Sequence, residues 1–223
     1  MKPPFTLEQF LAVFKNYNEG VFPMQLVLYL ISAVVIYFVI KPNEKSDKII
    51  SIILSFLWLW MGIIYHILYF TAINKAAYLF GGLFIVQGIL FLVSGVFENK
   101  LSFGFRKDIY GITGIILIVF ALILYPIAGF FFRHIYPSSP TFGLPCPTTI
   151  FTFGVLLLNI KKCPLPILII PFVWSIIGFT AAFQFGMLED TALIVASLIT
   201  TALLIYRNRI LSKNKRIINN TGQ

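Results

Sequence analysis

His66, His134, Cys146 and the adjacent pair Glu189–Asp190 are the residues of this 223-residue chain whose types could do chemistry. Imidazoles, thiols and carboxylates are the ligand types for zinc, copper and similar ions, and they also relay protons or act as nucleophiles. Cys146 lies in YPSSPTFGLPCPTTIFTFG, whose four prolines and Gly143 fix an irregular backbone. Pro147 suits the first position of a helix. Cys146 then falls at the N-cap, where free amides and the helix dipole favour an anion. Thr141, Thr148 and Thr149 place hydroxyls around it, and Asn74 and Gln184 add two amides. No nucleotide-binding loop, HExxH signature or CxxC pair is present. The spacing is not local, so only a fold could bring these groups together, and no metal or cofactor is assigned. Each residue also has a plainer role. The proline-rich segment can be a rigid plug, His66 can hydrogen-bond between helices, and Glu189–Asp190 can cap the helix that follows. Gln87 can bond to a neighbouring helix in the same way.

The elements that must position these residues are apolar runs. They span Phe22–Ile40, Ile49–Phe70, Ala76–Phe97, Ile109–Phe132, Thr148–Ile160, Leu165–Gly186 and Thr191–Tyr206. None of the 17 basic and 8 acidic residues lies inside a run. A charge in the middle of a bilayer costs several kcal/mol, so such segregation marks membrane spans. The runs are apolar on all faces, which fits helices and not the alternation of a β-barrel. A mean hydropathy of +0.92 agrees. The expected fold is an all-α integral membrane protein: a bundle of seven transmembrane helices after a short N-terminal interfacial helix.

Charge distribution orients the bundle. With seven crossings, 13 Lys and Arg fall on one side and 4 on the other. If the thirteen-residue fifth run did not cross, the division would be 11 to 6. The positive-inside rule therefore favours seven crossings, an extracytoplasmic N-terminus and a cytoplasmic C-terminus in the inner (plasma) membrane. In this orientation the candidate residues collect at the outer face. The basic tail, residues 207–223, reads as an anchor on anionic lipid; no nucleic-acid-binding motif is visible. Cys146 and Cys163 fall on opposite sides and are not expected to pair. MKPPFTLEQF contains no apolar signal core, so no removable leader is expected.

The first 21 residues are amphipathic. Thr6 and Gln9 form a capping-box pattern, and Leu7, Phe10, Leu11, Phe14 and Tyr17 follow at helical spacing. This predicts a helix lying in the outer interface or packed over the bundle mouth. Gly81, Gly88 and Gly95 fall on one face of the third run, where another helix can approach closely. Pro126 and Pro171 are expected to kink their helices.

PFTLEQFLAVFKNYN, LWLWMGIIYH, AAYLFGGLFIVQGILF, PTFGLPCPTTIFTFG and the Glu189–Asp190 pair resemble, in order, a family of small prokaryotic multi-pass membrane proteins known only as a domain of unknown function. The resemblance implies a bacterial or archaeal inner-membrane protein and implies no activity. Three functions fit the residues. One is transport of a small solute or ion through an outward-facing pocket. Another is a membrane-embedded metal, redox or enzymatic protein using Cys146 with His66 and His134. The third is a non-catalytic subunit that packs, as a homo- or hetero-oligomer, through the glycine stripe.

Overall fold

The computed structural model describes the backbone of residues 4–221 and the side chains of residues 4–214. The expectations for Met1–Pro3 and for the tail beyond Asn214 lie outside those side chains. The described chain is all helical apart from isolated bridges. We number the helices α1 (Leu7–Gly20), α2 (Met24–Ile40), α3 (Ser46–Ala72), α4 (Ala77–Phe97), α5 (Ile109–Phe131), α6 (Pro145–Leu157), α7 (Pro166–Phe185) and α8 (Thr191–Thr221). Among them, α3, α4, α5, α7 and the stretch Leu188–Asn214 are long and apolar enough to cross a membrane. Helices α1 and α2 together meet the same test but are bent by 81° at their junction.

Three of the long helices widen into π turns, at Met61–Tyr69, Val93–Phe97 and Phe120–Leu124. The last of these ends two residues before Pro126. A proline in a helix forfeits one i→i−4 bond, and a local π adjustment accommodates the loss. Pro171 lies inside α7.

Glycine sets the closest helix approaches. A β carbon at Gly81 would lie 2.9 Å from the Gly62 carbonyl oxygen, and one at Gly88 would lie 3.0 Å from that of Ser55. Gly95 faces Ser51. The whole stripe therefore packs on α3 of the same chain.

Helix α6 occupies the middle. It begins three residues earlier than the run Thr148–Ile160 suggested, because Pro145 and Pro147 both fit a first turn whose N–H groups need no partner. All but one of its thirteen residues are buried. Its last carbonyls face the opposite end of the bundle, where Arg207 donates to Asn159 O at 2.5 Å and to Lys161 O at 3.1 Å. Arg207 and Asn208 are buried. The sequence places both in a basic tail anchored on anionic lipid, but α8 runs on past Tyr206 and turns them inward, Arg207 to the chain at the end of α6 and Asn208 to the Cys163 amide and carbonyl. At the same end Asp47 accepts from Phe103 N at 2.7 Å. Asp108 caps α5 through Gly111 N. Burial raises its carboxyl, but the Arg106 side chain and the Gly111 and Tyr110 amides together outweigh it, so it titrates below the usual carboxylate range.

Candidate functional site

The end of the bundle that carries the candidate residues is closed by α1. The Thr6–Gln9 capping box is formed, with the Gln9 amide bonded to Thr6 Oγ1 at 3.2 Å and the Thr6 amide to Gln9 Oε1 at 2.9 Å. The apolar stripe of α1 packs on protein. Phe10 stacks on Phe185 at 5.3 Å, Phe14 on Tyr65 at 6.3 Å, and Tyr17 meets Tyr65 edge-on at 5.7 Å. An interfacial helix would turn this stripe to lipid. Here the π segment of α3 and the end of α7 supply enough aromatic surface to take it, so α1 is a cover over the bundle mouth.

Asn18 fastens the cover to the proline-rich segment, and sequence reasoning missed it. Its side-chain amide donates to Pro137 O at 2.7 Å and Ser139 O at 2.8 Å, and its oxygen accepts from Thr141 at 2.7 Å. Asn18 is fully buried. The only sequence signal was a polar residue one position beyond the apolar stripe. Asn18→Leu should lower stability by about 2–4 kcal/mol, because several part-buried polar groups lose their partner at once. Thermal unfolding in mild detergent, compared with the exposed Glu19→Gln, measures this.

Under the cover lies a cavity of about 180 Å³. Phe5, Phe10, Phe14, Phe70, Phe80 and Trp174 supply much of its wall, and Asn74, Cys146, Gln184 and Asp190 reach it as well. Cys146 is not at the N-cap but two residues further in; the N-cap is Leu144, which has no side-chain cap bond. The prolines on either side place the thiol in the first turn of α6. There it lies beside the buried Asp190, within reach of its carboxylate. Tyr125 donates to Asp190 from the other side. Gly178 keeps this corner open: a β carbon there would lie 3.6 Å from Cys146 Sγ and 3.7 Å from Trp174 Nε1. The Trp174 N–H and one oxygen of Glu189 are buried without a hydrogen-bond partner.

The remaining candidates separate. Thr141 is taken by Asn18, and Thr148 Oγ1 accepts from Gly143 N at 3.0 Å. Thr149 is buried with an unpartnered hydroxyl. Asn74 Oδ1 accepts from Ala76 N at 3.0 Å and rims the cavity. His134 pairs with Glu189 at 2.6 Å, outside the cavity lining. His66 is fully buried among aromatic rings, 4.6 Å from Phe84 and 5.0 Å from Trp174, and both ring nitrogens lack partners. It makes no interhelical hydrogen bond and does not line the cavity, whose wall residues Phe70, Phe80 and Trp174 pack on it. Gln87 does bond across helices, donating to Ile167 O at 3.0 Å. Among the described residues no three His, Cys, Asp or Glu side chains converge as a metal would require. The reading of a metal held by Cys146 and the histidines therefore has no ligand set.

A family of unknown function (DUF6064) matches residues 7–215. The chain belongs to this family. No curated protein and no solved structure matches it. Family membership covers every element of the cavity except Phe5 and Pro4 at its edge, and it adds no activity to the geometry.

Proposed function

We propose that the chain is an integral protein of a prokaryotic inner membrane, crossing it seven times with its N-terminus outside and its C-terminus in the cytoplasm. In this reading it takes a small, largely apolar solute into the cavity under α1 for transport. The cavity carries the proposal: aromatic walls drawn from several helices, with Cys146, Asp190 and the Trp174 N–H together in one corner. A site of this kind binds an apolar body and orients it by a few polar contacts. Its one carboxylate is already engaged by Tyr125, so a hydrated ion would lose its water without replacement. The π turns in α3 and α5 and the short α6 supply the interrupted helices on which solute sites in transporters are commonly built.

Two measurements test it. A periplasm-active reporter fused to the C-terminus should be silent, and activity there would reverse the topology. Benzyl alcohol, benzylamine and benzoate, titrated against purified protein, should separate by tryptophan fluorescence. The alcohol and amine should saturate, benzoate should bind weakest beside Asp190, and Ala181→Phe should abolish the response. Equal, unsaturable responses from all three would remove the cavity as a binding site. Uptake of the bound probe by proteoliposomes then distinguishes a carrier from a receptor.

The contact between Cys146 and Asp190 favours a second reading, in which the carboxylate takes the thiol proton and Cys146 acts as a nucleophile. Asp190→Asn should then slow alkylation of Cys146 by iodoacetamide at least tenfold, about the lower end expected for loss of a general base. An unchanged rate would retire this reading.

A further inference from the structure

A second concavity, about 960 Å³, runs along the outside of the bundle between α5 and α8. Its floor and walls are apolar, formed by side chains such as Ile116, Phe120, Val195 and Leu203. On α8 the lining extends from Thr191 to Leu203, roughly 18 Å of helix at 1.5 Å per residue. That exceeds one leaflet's share of a hydrocarbon core of about 30 Å. At one end sits Glu189, which is 3% exposed and lines the groove. One of its oxygens is held by His134, while the other is buried with no partner. Gly129 keeps this spot shallow, since a β carbon there would lie 3.7 Å from the bound oxygen. Arg133, exposed and next in the chain to the groove-lining Phe132, makes no ion pair among the described residues.

A buried carboxylate oxygen without a donor, set at the head of a long apolar groove, matches an amphiphile with a cationic head and a hydrocarbon chain. We infer that the groove binds one zwitterionic aminophospholipid. Its ammonium donates to the free oxygen of Glu189, its phosphate lies toward Arg133, and one acyl chain fills the groove between α5 and α8. A charge-assisted hydrogen bond in a site shielded from water is among the stronger polar contacts, and the apolar groove gives the chain surface that bulk lipid contacts less closely.

The inference rests on the membrane reading above, and the experiment keeps the two apart. The full chain is extracted, washed free of loose lipid, and offered equal dioleoyl phosphatidylethanolamine and phosphatidylglycerol, with retention read by native mass spectrometry. Wild-type protein should retain one phosphatidylethanolamine in preference to phosphatidylglycerol by about tenfold or more, the worth of one charged hydrogen bond. Glu189→Gln should erase the preference. Ala202→Phe, an exposed position on the groove wall, should lower retention of both lipids without disturbing the core. Equal retention by the wild type, or a preference that survives Glu189→Gln, overturns the inference. A chain that stays in water without detergent would instead overturn the membrane reading itself.

Discussion

Gly154→Leu should leave no folded protein. Gly154 on α6 and Gly114 on α5 face each other so closely that a β carbon on either would meet the other's carbonyl oxygen, at 2.7 and 2.8 Å. The Ile118 amide nitrogen would lie 3.1 Å from the same added carbon. These are helix backbone atoms, which cannot rotate aside as a side-chain end can. The helices would have to part, and α6 would lose its packing against α5. Overpacking by a methylene or two commonly costs about 1–3 kcal/mol. A whole leucine against two rigid backbones exceeds that and a typical stability of about 5–15 kcal/mol leaves little margin once neighbouring contacts fail. Gly154→Ala should fold with a loss of about 2–3 kcal/mol, at the upper part of the same range. Gly82→Leu is the control, since a β carbon there meets nothing within 4 Å. Size exclusion of detergent-solubilised protein reads all three; a monodisperse Gly154→Leu peak at the wild-type position would contradict the packing described.

Arg207→Met should destabilise by about 3–5 kcal/mol, as expected when one partner of a buried charged network is removed. The guanidinium supplies donors to the end of α6, where the last carbonyls have no helical partner. It also lies over the Tyr110 ring at 5.4 Å. Methionine keeps much of the stem and removes every donor, so the Asn159 carbonyl is left buried without it. Lysine should recover only part of the loss, because an ammonium cannot reproduce the planar fork. Arg209→Met, on the exposed side of the same helix, should change little. Thermal unfolding of the three variants in one detergent decides it, and equal midpoints for Arg207→Met and Arg209→Met would defeat the argument.

The long helices were legible because charge exclusion and run length leave a strong imprint on sequence. The capping box was legible for a similar reason: two side chains at fixed spacing satisfy two amides whatever surrounds them. Longer-range partners were not. Nothing local says that Asn18 will hold carbonyls more than a hundred positions away, or that Arg207 will turn inward instead of anchoring a tail. Of the proposed outer cluster, Cys146, Asp190, Asn74 and Gln184 reach one cavity, while His134 pairs with Glu189 and His66 is buried among aromatic rings outside the cavity lining. Depth along the helices can be counted from sequence, but rotation about their axes and lateral order cannot. The aromatic cover was half visible. Its stripe was plain at positions 7–17, yet whether such a stripe meets lipid or protein depends on surfaces contributed by α3 and α7.

The enclosure of α6 bears on how such a chain could be assembled in a bilayer. A span is normally released sideways into lipid and stabilised there before it finds its neighbours. Thirteen residues, with Thr148, Thr149 and Thr152 among them and protein on nearly every side, give α6 little reason to partition into lipid alone. Its place is created by α5, α7 and α8, and the last two are synthesised after it. In the proposed membrane topology, insertion of this segment would therefore wait on downstream chain, so a ribosome stalled before α8 would leave α6 without its final enclosure and Asn159 without the arginine that completes its end.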